Sequence, residues 1–480
     1  MPLVVGVDSS TSSCKVEVRD LDTGALVASG RAAHPHTSPP RSEQDPASWW
    51  AAFDDASAQA GLSNTHRPAA IAVAAQQHGM VVLDANQEIL RPAKLWNDTE
   101  SAPDAAHLLE QLGRPAWAEA CGSVPVPSFT ITKLAWLRRR EPHVFRQVAS
   151  VLLPHDWLNL QLSGAMDTER GDASGTGYWS PNEDRWRTDL LDLVDTDVGW
   201  EQLLPKVHGP LEAVGERKGT GTLIAPGTGD NMAAALGLAL EPSDLVLSLG
   251  TSATAYCVSD LPAADPSGRV AGFASADGRF LPLVCSLNAT KVTDAFARLL
   301  GVDLEQFDAM ALSAAPGAEG VTLVPHLDRE RTPDRPGATG SLLGLHTETT
   351  REQIARAVVE GVICNLLEGA DLLSNPGGSL KSGRVILIGG GARSAAFSSV
   401  AAQLTQREVL VPDEHELVAL GAALQATATY SGISMRQVAP HWSLGKRARI
   451  EPEPDPGVGA PASDIRQRFS ERSAQMGELV

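Results

Sequence analysis

Basic residues are in short supply. The chain has 39 lysines and arginines against 58 aspartates and glutamates, a formal net charge of −19. That balance argues against nucleic acid or an anionic membrane as a partner, because their phosphates would be repelled. Cysteine is scarce too: Cys14, Cys121, Cys257, Cys285 and Cys364 are scattered and odd in number, and no C-x-x-C or H-x-x-x-H spacing occurs. Neither a disulfide framework nor a zinc site is expected. No apolar run approaches the ~18 residues that cross a bilayer. The opening "MPLVVGVDSS" carries no basic leader segment, so a cytoplasmic setting is expected.

What is present suits a globular protein of more than one domain. At 480 residues the chain exceeds what a single core serves. "LVVGVD", "SSTSS" and "CKVEVRDL" read as strand, polar turn and strand, and the plan returns in "LVLSLG" (245–250), "TSA" and "TAYCVSD". Two such units half a chain apart point to a duplication. "AIAVAAQQHG" (70–79) reads as a buried strand ending in a polar cluster. "PSFTITKLAWLRRREPHVFRQV", 351–374 and "ELVALGAALQATATYSG" read as helices. In "SEQDPASWW", Asp45 or Ser48 caps a helix and at least one of Trp49 and Trp50 packs inward. The expected division is 1–241, 242–445, and 446–480 as a Pro- and charge-rich link to a terminal helix.

Four Gly- or Ser-rich turns follow apolar strands, at 8–13, 227–230, 249–252 and 389–391. Such turns close backbone N–H groups around phosphate. On an acidic chain those groups, a few local bases and a metal ion would have to meet a nucleotide. Asp8, with Thr11, Ser12 and Lys15 beside it, reads either as an Asx-turn or as a Mg²⁺ carboxylate acting through water. Asp230, between "PGTG" and an alanine-rich helix, reads as a helix cap or as a base for an attacking hydroxyl, kept ionised by the helix end. Gln76, Gln77 and His78 at a strand end, with Asn97 and Asp98 in "LWND", offer the amide, imidazole and carboxylate groups that bind several hydroxyls.

In order, "VGVDSSTSSCK", "SEQDPASWW", "AAQQHG", "RPAKLWND", "GTGDNMAAALG", "LSLGTS", "ERTPDRP" and "LIGGGARS" make residues 3–440 resemble the FGGY family of carbohydrate kinases. The resemblance implies an α/β fold of two actin-like ATPase (ribonuclease H-like) domains with a cleft between them. It implies ATP and Mg²⁺, a small sugar or polyol as acceptor, no nucleic acid and no membrane, with a homodimer left open. Carried over by position, the catalytic base falls on Asp230 and the metal-binding aspartate of the first phosphate loop on Asp8. Sugar contacts fall on Gln77, His78, Asn97, Asp98 and Asp230. Nucleotide contacts fall on Thr11, Ser12, Lys15, Thr251, Gly390 and Gly391. Ser10 replaces the family's usual glycine; if that position needs a positive φ, serine there is strained and lowers ATP affinity. Gln77 stands where methionine is frequent, which leaves the acceptor sugar open.

Overall fold

The computed structural model describes residues 2–62, 67–217, 219–373, 380, 382–414, 416–444, 447–450 and 459–477. The chain folds as two units. The first comprises Met1–Leu240, Ser259–Leu281 and Glu416–Gly445; the second comprises Glu241–Val258, Pro282–His415 and Lys446–Val480. The chain first passes from one unit to the other after Leu240. Two later segments nevertheless return to the first unit, so neither unit is one contiguous stretch.

In the first unit, Leu3–Ser9 pairs antiparallel with Ser13–Asp20, which pairs with Leu26–Ala33. On its other side Leu3–Ser9 runs parallel to Ala70–Ala75. Val5, Val7, Val16, Val18, Ile71 and Val73 are buried, as β-branched residues on a covered sheet should be. Trp49 is wholly buried, and its helix, Pro46–Gln59, is N-capped by Asp45. The helix Leu417–Ser431 packs on the same sheet through small residues, which draws the late segment into this unit. A Cβ on Gly6 would lie 1.9 Å from the Ala419 carbonyl, and one on Gly421 would lie 1.8 Å from that of Ala233.

The second unit repeats the plan. Leu245–Leu249 pairs antiparallel with Ala253–Tyr256 and parallel with Val385–Ile388, and Val409–Pro412 extends the sheet. Helix Arg351–Ala370 buries Val358, Val362 and Leu366. The expected terminal helix spans Ala462–Gly477 and buries Ile465 and Phe469. Most of the Pro-rich link, 451–458, lies outside the described residues. Among the described residues no helix is long and apolar enough to cross a membrane.

Candidate functional site

Strand register alone assembles the polar end of the first unit. Asp8 is the partner of Lys15 across the hairpin and of Ala74 in the parallel strand, while Thr228 pairs with Ala74 from the other side. The carboxyl end of Ala70–Ala75 therefore has Asp8 on one flank and the loop leading to Asp230 on the other. This is where open α/β sheets collect ligands.

Asp8 is 3% exposed. Its Oδ2 lies 3.1 Å from Lys15 Nζ, which also meets Glu416 at 2.6 Å, and its Oδ1 has no partner. Burial raises the Asp8 carboxyl above the ordinary carboxylate value despite Lys15. Burial would lower Lys15, but Asp8 and Glu416 outweigh it and hold the amine firmly charged. Ser10 donates both its N–H and its Oγ to the Ser13 carbonyl, at 3.0 Å each. Its φ is not positive, so the serine carries none of the strain considered from the sequence. Thr11 Oγ1 donates to Gln76 Oε1 (3.2 Å) and accepts from Trp96 Nε1 (2.9 Å). Ser12 is exposed, and its carbonyl accepts the His34 N–H.

Asp230 opens the helix Asp230–Gly237 as its first residue, behind Gly229 at the N-cap position. Its Oδ1 accepts the Asn231 N–H (2.8 Å) and Asn231 Nδ2 (2.9 Å). Burial, then the charges of Asp8 and Asp172, push its carboxyl up to about 7. The helix end does not hold it fully ionised, contrary to the sequence expectation. Asn231 Nδ2 also reaches Gln77 Oε1 at 2.9 Å, leaving Gln77 Nε2 buried without a partner. Asp230, Asn231 and Gln77 thus form one chain of contacts.

His78 sits in the left-handed region (φ 65°), which a residue with a Cβ seldom adopts without being held there. Thr130 Oγ1 (3.2 Å) and Lys133 Nζ (3.0 Å) both donate to its carbonyl, and its Nδ1 lies 2.7 Å from the Gly175 carbonyl. That contact makes Nδ1 the protonated nitrogen. The ring packs against Phe129 (5.0 Å between centroids) and Phe273 (5.5 Å), which also touch each other (6.1 Å). Burial holds the Lys133 amine well below its usual value.

A buried polar layer supports the Asp230 loop. Glu169 accepts from Thr228 Oγ1 (2.8 Å) and from the Gly171 and Asp172 N–H groups. Asn159 donates to the Pro226 carbonyl and Gln425 to that of Gly227. His155 Nδ1 lies 2.7 Å from Asp172 Oδ2. These residues escape a reading of sequence alone because no spacing links "HDWLN", "TERGD" and "GTGDN". Phe273 is equally remote, whereas Asn231 adjoins Asp230.

Asn97 and Asp98 part company. Asn97 Oδ1 is buried without a partner. Asp98 is 0% exposed, and both its oxygens are used: Oδ2 by the Ser42 N–H and Lys94 Nζ (2.9 Å each), Oδ1 by the Glu100 N–H. Those donors, on a fully enclosed carboxylate, count against the expected sugar contact at Asp98. It groups with Glu43 and Glu100 around Lys94, which pairs with all three, while Arg91 and Arg41 also pair with Glu43.

In the second unit the remaining residues form a separate cluster. The Gly250 carbonyl accepts the Thr290 N–H (3.0 Å) and the Thr251 carbonyl the Ala289 N–H (3.3 Å), which ties that turn to the start of helix Thr290–Leu300. A Cβ on Gly391 would lie 2.7 Å from Leu249 Cβ and 3.1 Å from Thr290 Cγ2. Thr251 and Gly390 are exposed, and Gly389 has φ 86°. Two main-chain turns and a helix start thus meet where a side chain would not fit, a cradle suited to a phosphate-bearing ligand.

Family models for the N-terminal and C-terminal domains of FGGY carbohydrate kinases match residues 3–237 and 245–430. The chain belongs to the FGGY family of carbohydrate kinases. Among its relatives, the xylulose kinase of Streptomyces coelicolor is 47% identical over 450 residues, 92% of this chain and 91% of the relative. That of Haemophilus influenzae is 34% identical over 446 residues, 88% and 90% of the two chains. The crystal structure of xylulose kinase from Bifidobacterium adolescentis has a TM-score of 0.87 at 38% identity, covering 98% of this chain and 99% of that one. As an FGGY kinase the protein is an actin-like, ATP-using phosphotransferase acting on an alcohol group.

Proposed function

We propose that this kinase phosphorylates D-xylulose to D-xylulose 5-phosphate. The observation that carries the proposal is Asp230: a partly buried carboxylate, poised near neutrality, bonded to Asn231 and through it to Gln77. A base with that ionisation can accept a hydroxyl proton at physiological pH. The names borne by the most similar relatives supply the sugar.

Asp230 would take the proton from the terminal hydroxyl as its oxygen bonds to the γ-phosphorus of ATP and the bond from that phosphorus to the bridging oxygen breaks, releasing ADP; a loose phosphoryl-transfer transition state requires the proton's removal only late. Gln77 Nε2 is a buried donor awaiting an acceptor, which a sugar hydroxyl supplies. Asn97 Oδ1 offers a further acceptor, and His78 would contact the sugar beside Gln77. In the second unit Thr251, Gly390 and Gly391 would hold the nucleotide, and in the first Thr11, Ser12 and Lys15 would serve phosphate. The orphaned Oδ1 of Asp8 fits Mg²⁺, held directly or through water. When bound, ATP supplies the phosphoryl group and Mg²⁺ offsets its charge. The test is ³¹P NMR of the product formed from D-xylulose and Mg-ATP. A phosphomonoester on the C5 oxygen supports the proposal, and a phosphate signal from ATP hydrolysis alone contradicts it.

A further inference from the structure

The "ERTPDRP" stretch takes no part in the reaction just described, yet it holds a carboxylate that accepts five hydrogen bonds. Glu330 is 2% exposed. Its Oε1 accepts the N–H groups of Leu287 and Arg331, at 2.7 Å each. Its Oε2 accepts from Ser286 Oγ (2.9 Å), Asn288 Nδ2 (3.0 Å) and Asn365 Nδ2 (3.2 Å). Asn365 also donates to Ser286 Oγ and accepts from His326, so helix Arg351–Ala370 joins the network. Next to Glu330, Arg329 is held at φ 81° with its carbonyl bonded to Asn288 Nδ2 (2.7 Å).

The segment clamped this way is 286–288, and the next two residues, Ala289 and Thr290, are the ones bonded to Thr251 and Gly250. A buried carboxylate is a poor choice for stability alone, because an apolar side chain of the same volume avoids the desolvation cost. Five donors converging from three segments fix position instead.

We propose that Glu330 is a positioning residue for the nucleotide: it sets the 286–290 segment, and through it the Gly250–Thr251 turn, in the geometry that receives the phosphates. This rests on the nucleotide reading of that turn and of Gly391, so the experiment separates the two. ADP affinity is measured by titration calorimetry on the full chain for Gly391→Val, Glu330→Gln and Ser286→Ala, with thermal melts and the KM values for ATP and for D-xylulose. Glu330→Gln replaces one acceptor with an NH₂ facing other donors. It should weaken ADP and raise KM for ATP by about tenfold or more, leaving KM for the sugar within about twofold. Unchanged ADP affinity in Gly391→Val overturns the nucleotide reading, and this proposal with it. Weakened affinity in Gly391→Val beside native affinity in folded Glu330→Gln overturns the proposal alone. If Glu330→Gln shows no cooperative melt, Ser286→Ala decides. A loss of about threefold or more supports the assignment, and native affinity overturns it.

Discussion

Replacing Asp230 by asparagine should disable the enzyme and stabilise it at once. Asparagine matches the protonated carboxyl in shape and keeps the Oδ1 acceptor for the two Asn231 donors. An ordinary carboxyl titrates near 4, whereas burial beside Asp8 and Asp172 moves Asp230 to about 7. Ionising it in the folded state is therefore unfavourable by about 4 kcal/mol. Partial exposure screens this to on the order of 2 kcal/mol. The sign follows from linkage: the folded state retains the proton longer, so the penalty builds as pH rises from about 4 to about 7 and is constant above that. At pH 8, Asp230→Asn should raise Tm by roughly 4–8 °C for a unit of this size. At pH 4 the gain should vanish; at pH 8 kcat should fall at least ~100-fold with sugar binding retained. Differential scanning fluorimetry at both pH values and a coupled ADP assay provide the readouts. A lower Tm at pH 8, an equal gain at both pH values, or a largely retained kcat would refute the reasoning.

In the wild-type enzyme the same ionisation gives kcat/KM for the sugar an acid limb, falling about tenfold per pH unit below about 7; a steady-state pH profile checks it. Gly6→Ala forces a Cβ to 1.9 Å from the Ala419 carbonyl and should destabilise the first unit by about 3 kcal/mol in denaturant titration. Asp98→Asn leaves the buried Lys94 short of a charge partner. With Glu43 and Glu100 still paired to Lys94, it should lower stability by about 1–2 kcal/mol while the folded enzyme keeps its sugar KM; a raised KM with unchanged stability would return Asp98 to the sugar site.

Much of this was legible in the chain because it depends on short-range register. "LVVGVDSSTSSCK" specifies a hairpin, and pairing it beside "AIAVAAQQHG" brings Asp8 and the Gln76–His78 cluster to one end of a sheet. Asp45 and Trp49 likewise do what a capping residue and an inward tryptophan should. What escaped depends on contacts between distant segments. The alanine-rich helix Leu417–Ser431 carries no sign that it fits against Gly6, so the first unit's late segment went unseen. Asp98 is polar and follows an exposed tryptophan, and only the approach of Lys94 and Ser42 shows it to be enclosed. The ionisation of Asp230 is set first by its burial and then by Asp8 and Asp172, hundreds and tens of residues away, while its local context pointed to the opposite effect.

The most direct test of the central claim is ADP release with Mg-ATP, first without acceptor and then with D-xylulose, L-ribulose, D-ribulose, L-xylulose, glycerol and gluconate. The account predicts a large rise with D-xylulose above the sugar-free rate and above every other acceptor. A rate indifferent to all acceptors would contradict it, and a preference for another member of the panel would contradict the assigned sugar.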